Sequence, residues 1–280
     1  MAGQLFLCAT PIGNLKDMTL RVAECLEEAD LIAAEDTRNS IKLLNHFQIK
    51  TPMTSYHEHN KYEKADVLIR QLLEGKNIAL ITDAGTPAIS DPGEVLVAKC
   101  QEAGIRVTSL PGPAACITAL TLSGLPTRRF CFEGFLPTEK KERRSILKEL
   151  ERETRTIILY EAPHHLKQTL KELGETLGDR RVTLCRELTK KFETVFPTTL
   201  KEALLYYEEN EPRGEYVLVV EGKSLQAVQE EERASWQELS YEEHMKHYED
   251  KGIDRKEAMK LVAKDRGISK REVYQQLLTY

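Results

Sequence analysis

The sequence predicts an α/β protein made of two α/β domains with mixed sheets, followed by a small helical appendage. Two observations lead to this fold class. Apolar runs of strand length alternate with segments of helical period over roughly the first 220 residues, which is typical of sheets covered by helices on both faces. After Gly222 the strand-like runs stop, and from Tyr241 onward the pattern is wholly helical.

The alternation predicts eight strands and eight helices before the tail. The strands are expected at Gln4–Ala9, Leu31–Ala34, Asn77–Thr82, Ile105–Leu110, Phe130–Phe135, Thr156–Tyr160, Val182–Arg186 and Tyr216–Glu221. The helices are expected at Thr19–Ala29, Ser40–Phe47, Glu63–Glu74, Glu94–Ala103, Ala114–Leu122, Lys140–Glu153, His164–Leu173 and Leu200–Glu209.

A Gly/Pro break at Ser123–Thr127 separates the two α/β halves. We therefore expect an N-terminal α/β domain over residues 1–123 and a second α/β domain over residues 124–223. The acid-rich segment that follows predicts a linker at 224–240, and the helical tail is expected at 241–280.

Within the tail, Ile253–Ala258 and Ile268–Val273 repeat at a spacing of 15. Each repeat has a capping residue followed three positions later by Glu, so two short helices of helix-turn-helix type are predicted. The chain as a whole has a net charge of −5, but residues 251–271 hold eight basic residues against three acidic ones. This stretch is a possible RNA-binding arm, and a solvated helical face explains it equally well.

The chain is expected to be cytoplasmic. No apolar run approaches the ~20 residues of a membrane span, and the N-terminus lacks the basic region and cleavage pattern of a leader. The six cysteines are scattered without a C-x-x-C pair, so we interpret them as small buried apolar residues.

Charged residues, prolines and glycines cluster directly after six of the predicted strands. In α/β proteins this end of the strands is where ligands bind. The clusters are Thr10–Asn14, Glu35–Arg38, Asp83–Gly93, Pro111–Ala115, Tyr160–His165 and Arg186–Lys191. Ordinary turn chemistry explains any one of these segments, but less easily all six. The third, DAGTPAISDPG, is longer than a strand-to-helix connection requires, which indicates a loop shaped around a ligand.

Common nucleotide motifs are absent from the sequence. There is no G-x-G-x-x-G fingerprint and no Walker A lysine loop. Loops of small residues and prolines instead allow the backbone to approach a ligand closely, which suits an adenosine-type ligand better than a triphosphate.

Metal and nucleophile chemistry have little support in the sequence. His57 and His59 have H-x-H spacing, but no third ligand is identifiable, so no metal is expected. No histidine partner is nominated for a cysteine nucleophile, and a G-x-S-x-G elbow is absent.

Eight motifs stand in the same order as in the tetrapyrrole methylase superfamily, within the branch that methylates small-subunit ribosomal RNA. They are Ala9–Leu15, Ala34–Arg38, His57–Asn60, Asp83–Gly93, Pro111–Pro113, Phe132–Pro137, Tyr160–His164 and Pro212–Glu215. The chain resembles that branch from about residue 4 to its C-terminus. The resemblance implies two α/β domains with S-adenosylmethionine bound in the cleft between them, usually in a homodimer.

The activity implied by the resemblance is 2′-O-methylation of a cytidine in the decoding region of 16S rRNA, within the 30S subunit. The residues expected to bind the donor are Pro11, Ala84, Gly85, Thr86, Pro87, Ile89, Ala114, Ala115, Tyr160, Glu161, Gly214 and Glu215. The tetrapyrrole enzymes have Gly-Asp-Pro where this chain has Gly85-Thr86-Pro87, so Thr86 departs from the family pattern. The glycines and prolines are expected to fix the loop in its ligand-bound path.

A ribose hydroxyl is a weak nucleophile, so a base or an orienting acceptor is expected. The candidates, in order, are Asp36, His57 and Glu35, and the residues expected to hold phosphate or the cytidine edge are Arg38, Lys190 and Arg186. Asp36 and Arg38 could instead pair with each other or cap a helix. Two other functions remain open, a C-methyltransferase acting on a porphyrinoid and a non-enzymatic RNA-binding protein.

Overall fold

A computed structural model describes residues 2–278, so the last two residues of the expected tail lie outside the described part of the chain. The chain forms two compact units. The first runs to Lys148 and resumes over Arg155–Glu221, and the second consists of Glu149–Thr154 and the chain from Gly222 onward. Both predicted α/β halves therefore belong to the first unit.

The first half of this unit is built on a five-stranded parallel sheet with the order β3-β2-β4-β1-β5. Its strands are β1 Gln4–Cys8, β2 Leu31–Ala34, β3 Met53–Ser55, β4 Ile78–Ile81 and β5 Arg106–Leu110. After a 3₁₀ turn at Leu15–Asp17, its helices are α1 Leu20–Glu28, α2 Thr37–His46, α3 Lys61–Leu73, α4 Gly93–Glu102 and α5 Ala115–Leu122.

Apolar clusters cover both faces of this sheet. One cluster contains Leu68, Leu72 and Leu96 from α3 and α4, and the other contains Val22 and Leu26 from α1. All four residues of the central strand β4 are buried. The predicted α/β class is confirmed, and the parallel strands direct their carboxyl ends to one edge.

The second half of the unit is built on a five-stranded mixed sheet with the order β6-β7-β10-β8-β9. Its strands are β6 Phe130–Phe135, β7 Thr156–Glu161, β8 Arg181–Arg186, β9 Thr194–Thr199 and β10 Tyr216–Val220. Its helices are α6 Lys140–Leu150, α7 Leu166–Leu177 and α8 Leu200–Glu209. Strands β6 and β7 are parallel, and β10 runs antiparallel to both of its neighbours.

The eight predicted strands are present, and the structure adds β3 and β9, which the sequence pattern did not predict. Strand β3 has only three residues, too few for a period to be visible. Strand β9 contains Pro197, which a sheet tolerates because β9 is an edge strand with β8 on one side only.

The second unit contains α9 Leu225–Gln237, α10 Tyr241–Glu249, α11 Arg255–Arg266 and α12 Lys270–Leu278. The segment expected as a linker at 224–240 therefore contains a helix, which Ser224 caps by accepting a hydrogen bond from Ala227 N. Ala258, Val262 and Val273 form the centre of an apolar cluster in this unit. The described helices include none that is both long and apolar enough to cross a membrane.

A buried polar network stabilises the second unit. His244 is fully buried and stacks on Trp236, with ring centroids 4.0 Å apart. Its Nδ1 accepts a hydrogen bond from Arg266 Nε at 3.1 Å, so its Nε2 donates to Asp265 Oδ2 at 3.2 Å. Burial lowers the pKa of His244. The imidazole is therefore held neutral, because protonation would break the bond from Arg266.

Candidate functional site

A cleft of about 570 Å³ lies at the carboxyl ends of strands in the first unit and is lined by residues of both sheets. The first half contributes Ile12, Glu35, Thr82, Asp83, Ala84, Gly85, Thr86, Ile89, Ser90, Ala114, Ala115 and Cys116. The second half contributes Phe135, Tyr160, Glu161, Ala162, Pro163, Cys185, Glu187, Leu188, Lys190, Glu215, Tyr216 and Val217. Its volume lies in the ~300–1,000 Å³ range of small-molecule sites.

The loop at 83–93 forms one wall and is fixed by its own hydrogen bonds. Gly85 pairs with Thr10 through two backbone bonds of 2.9 and 3.0 Å. The carboxylate of Asp91 accepts the backbone N–H groups of Ala88, Ile89 and Gly93. Gly85, Ala88 and Ser90 have positive φ angles of 87°, 67° and 64°. Asp91 and Gly85 therefore help to hold a path that an ordinary loop sequence would not adopt.

The loop is also bonded to the end of β5. Thr86 Oγ1 donates to the carbonyl of Pro113 at 3.0 Å. A Cβ atom on Gly112 would lie 2.6 Å from the Cβ of Ala9, so the backbone after β5 approaches β1 more closely than any side chain allows. These contacts place Ala114 and Ala115 in the cleft wall beside the loop.

Tyr160 forms the opposite wall at the end of β7. Its hydroxyl accepts the backbone N–H of Cys116 at 3.2 Å, and its ring packs edge-on against Phe132 and Phe135. Burial raises the pKa of Tyr160, so the phenol stays neutral. Glu161 follows it, and its carboxylate accepts hydrogen bonds from Thr169 Oγ1 and from Ala162 N. Glu161 therefore stabilises the chain where it leads into α7.

Two carboxylates, Glu35 and Asp83, lie together where β2 and β4 end. Glu35 Oε2 accepts a hydrogen bond from Thr82 Oγ1 at 2.5 Å and a longer one from Asp83 N at 3.4 Å. Asp83 Oδ1 accepts the backbone N–H of Asp36 at 3.2 Å. Partial burial, and then the charge of Glu35, raise the pKa of Asp83. Asp83 is therefore a stronger base than an ordinary aspartate, and it lies in the cleft lining.

A lysine is held by two carboxylates on the far side. Lys190 Nζ lies 2.9 Å from Glu187 Oε1 and 2.8 Å from Glu215 Oε2. Burial alone would lower the pKa of Lys190, but the bonds to Glu215 and Glu187 outweigh it and raise the pKa. Gly214 has a φ of 76°, and a Cβ there would lie 2.5 Å from Glu187 Cγ. The glycine therefore leaves room for this arrangement.

Most residues expected to bind the donor line the cleft. The three that do not are Pro11, Pro87 and Gly214. Gly214 acts through the space it leaves for Glu187. The donor contacts themselves stay predictions.

The catalytic candidates follow the ends of two neighbouring strands, β2 and β3, and differ in their contacts. Asp36 is the N-cap of α2 and accepts hydrogen bonds from the backbone and side chain of Arg38. The Arg38 side-chain bond lowers the pKa of Asp36 to about 2, which leaves it a weak base. His57 lies beyond the edge strand β3, outside the cleft lining, and its Nδ1 is buried without a hydrogen-bond partner among the described residues. Only Glu35 of the three lines the cleft.

The three residues expected to contact the substrate lie in different places. Lys190 lines the cleft, Arg38 is exposed and paired with Asp36, and Arg186 lines a separate cavity. Sequence reasoning did not nominate Asp83, Glu187 or Tyr216. The position of Asp83, two residues after the wholly buried strand β4, was a usable signal for it.

The tail has the predicted helix caps, and one of its basic residues is buried. Asp254 caps α11, and Ser269 and Glu272 exchange two hydrogen bonds at the start of α12. Arg266 is buried, donating to His244 and to the carbonyl of Leu239, so it belongs to the core of the second unit. The other seven basic residues of this stretch are exposed or half-buried.

Comparison with known proteins gives one family and close relatives. The profile of the Tetrapyrrole (Corrin/Porphyrin) Methylases matches residues 4–204. The chain is 51% identical over 272 residues to Ribosomal RNA small subunit methyltransferase I of Halalkalibacterium halodurans, covering 97% of this chain and 93% of that one. The protein of the same name from Escherichia coli O157:H7 is 52% identical over 227 residues, with 80% and 79% covered.

A solved structure is similar in fold. The uroporphyrin-III C-methyltransferase from Thermus thermophilus, complexed with S-adenosyl homocysteine, matches with a TM-score of 0.54 at 19% identity. The match covers 78% of this chain and 97% of that one.

Proposed function

Because the chain belongs to the tetrapyrrole methylase family, we propose that it is an S-adenosylmethionine-dependent methyltransferase acting on the small-subunit ribosomal RNA. The reaction is 2′-O-methylation of a cytidine in the decoding region of 16S rRNA. The observation that carries the proposal is the cleft at the strand ends, with its wall fixed by the left-handed backbone at Gly85. The name of the relatives that match nearly the whole chain supports RNA, rather than a porphyrinoid, as the acceptor.

The cleft fits an adenosine-type donor. Its walls near the loop are small or apolar, namely Ile12, Ala84, Ala114 and Ala115, and they leave backbone groups accessible. A Cβ added to Gly85 would lie 3.3 Å from Ile12 Cγ2, a tight contact that would press on the wall at Ile12. The donor supplies an electrophilic methyl group on a sulfonium. The residues proposed to hold it are those of the loop together with Ala114, Ala115 and Tyr160.

The acceptor hydroxyl needs a group that orients it and takes its proton. The Glu35–Asp83 pair supports this role better than Asp36 or His57, because both of its carboxylates line the cleft. Partial burial raises the pKa of Asp83, and Glu35 accepts hydrogen bonds from Thr82 Oγ1 and Asp83 N and so fixes the segment that carries Asp83. We assign proton acceptance to Asp83 and positioning to Glu35. Lys190, held by Glu187 and Glu215, lies where it can contact the acceptor nucleotide.

The substrate context and the assembly are further parts of the proposal. The acceptor is the rRNA within the 30S subunit, the enzyme is a cytoplasmic homodimer, and the tail is an RNA-binding arm. The exposed residues Arg255, Lys256, Lys264 and Arg271 support the arm, since the protein as a whole is acidic. Arg266 is excluded from it because it is buried.

The test has a binding part and a transfer part. A calorimetric titration with S-adenosylmethionine should give one site per chain, and tritium from labelled donor should pass to 30S subunits. Free 16S rRNA and a corrinoid precursor serve as competing acceptors. Absence of donor binding would contradict the enzymatic proposal, and transfer to the corrinoid alone would contradict the RNA acceptor.

A further inference from the structure

A second cavity, of about 600 Å³, lies at the carboxyl end of β8 and is distinct from the cleft. Aromatic side chains from β9 and α8 form its walls. The ring of Tyr206 lies 5.1 Å from that of Phe196 and 5.0 Å from that of Tyr207. Tyr206 is 48% exposed, so a flat apolar surface faces solvent inside a concave site. Such a surface suits a planar ring.

Two arginines, Arg186 and Arg213, also line the cavity. Arg186 donates one weak bond, from Nη2 to the carbonyl of Phe192 at 3.4 Å, while its Nε is buried with no hydrogen-bond partner among the described residues. Arg213 is exposed. Glu211 is the acidic residue of the lining, and its carboxylate is paired with Lys167 at 3.1 Å. The cavity therefore offers positive charge, although the chain is acidic overall.

The cavity and the cleft meet at the carboxyl end of β8. Arg186 lines the cavity and its chain neighbours Cys185 and Glu187 line the cleft, so the two sites lie on opposite faces of the sheet at the same strand end. A polymer with one unit in the cleft would pass over this strand end.

We propose that this cavity binds a nucleotide of single-stranded RNA that flanks the methylated residue. The base packs against Tyr206 and Phe196, and the phosphate pairs with Arg186 and Arg213. Unpaired bases stack on aromatic and guanidinium planes with little dependence on sequence, and arginine forks match phosphate oxygens. The inference rests on the proposed function, because it takes RNA as the acceptor.

The first test is fluorescence anisotropy with a 5′-fluorescein-labelled RNA of eight cytidines. Tyr206→Ala should weaken binding about tenfold, the usual loss for one stacked base, whereas Tyr206→Phe should keep wild-type affinity. Tyr62→Ala is the matched control, since Tyr62 is 64% exposed on α3, outside the cavity lining. Unchanged affinity in Tyr206→Ala would overturn the stacking assignment.

The second test concerns the phosphate. Arg213→Ala should reduce the slope of log K against log salt by about 0.7, the value for one neutralised phosphate on a single strand. Arg128→Ala, which removes an exposed charge elsewhere, should leave the slope unchanged. A wild-type slope in Arg213→Ala would contradict the proposal.

Two further readouts separate this inference from the proposed function. Suppose that Tyr206→Ala and Arg213→Ala bind the donor, transfer methyl groups to 30S subunits and bind RNA as the wild type does. That result would overturn the inference about the cavity and leave the proposed function standing. A change of oligomeric state in Tyr206→Ala, measured by light scattering with RNA affinity unchanged, would assign the cavity to a protein interface and also overturn it. The RNA titration requires no donor, so failure of donor binding would bear only on the proposed function.

Discussion

Replacing Gly85 by valine should abolish tight donor binding while leaving the fold intact. Gly85 has a φ of 87°, which only glycine adopts without strain, and a branched side chain there is a genuine outlier. The added Cβ would also lie 3.3 Å from Ile12 Cγ2, in the wall of the cleft. Strain of this kind costs ~1–3 kcal/mol, so the melting temperature should fall by several degrees. Displacing the wall should weaken S-adenosylmethionine binding at least tenfold, or ~1.4 kcal/mol.

Gly104 provides the matched control. Its φ is 67°, but a Cβ there would meet no heavy atom within 4 Å, and it lies in the turn before β5. Gly104→Val should therefore lower the melting temperature by a similar amount and leave the donor affinity unchanged. Calorimetry with S-adenosylmethionine and a thermal melt on both variants make the comparison. Equal donor affinity in Gly85→Val, Gly104→Val and wild type would refute the assignment of the loop.

Three further outcomes are expected. Asp83→Asn should reduce single-turnover methyl transfer by ~10²-fold with donor affinity nearly unchanged, and a near-normal rate would remove Asp83 from the proton-acceptor role. Because the pKa of His244 is lowered, the second unit should keep its full stability above the ordinary histidine pKa, ~6.5, and lose stability as the pH falls below that value. The fluorescence of Trp236, the only tryptophan of the chain, reports the unfolding of this unit. A melting temperature that does not change between pH 7.5 and 5 would contradict the prediction. Neutralising Lys256, Lys264 and Arg271 together should reduce the slope of log K against log salt for 30S binding by ~0.7–0.9 for each phosphate that these side chains neutralise. The melting temperature should not change. A lower melting temperature with an unchanged slope would instead indicate a structural role for the tail.

Local pattern was enough to predict the strands that contain a continuous apolar run. The run Asn77–Thr82 contains β4, all of whose residues are buried, so its apolar composition is continuous. Strand β9 has no such signature, since it pairs on one side only and carries Pro197. The helix α9 was hidden by its acidic composition, because charged residues are common to linkers and to exposed helices.

The site was predictable as a set of strand ends, but the pairing of its side chains was not. Glu35 and Asp83 are 48 residues apart, and their proximity depends on β2 and β4 being neighbours in the sheet. Asp36, by contrast, has the local signature of an acidic residue before a helix, and the structure gives it the capping role that this signature allows. The burial of Arg266 could not be predicted from the local sequence either, because it depends on contact with His244, 22 positions away.

The most direct measurement of the central claim is nucleoside analysis of 30S rRNA after incubation with the enzyme and methyl-labelled S-adenosylmethionine. The RNA is digested to nucleosides, which are separated and identified by mass spectrometry, and Asp83→Asn is run in parallel. We expect the label in 2′-O-methylcytidine, at one equivalent per subunit, with transfer much reduced in the variant. Label on a base carbon or nitrogen, or no label in the RNA while the enzyme binds donor, would contradict the proposed reaction.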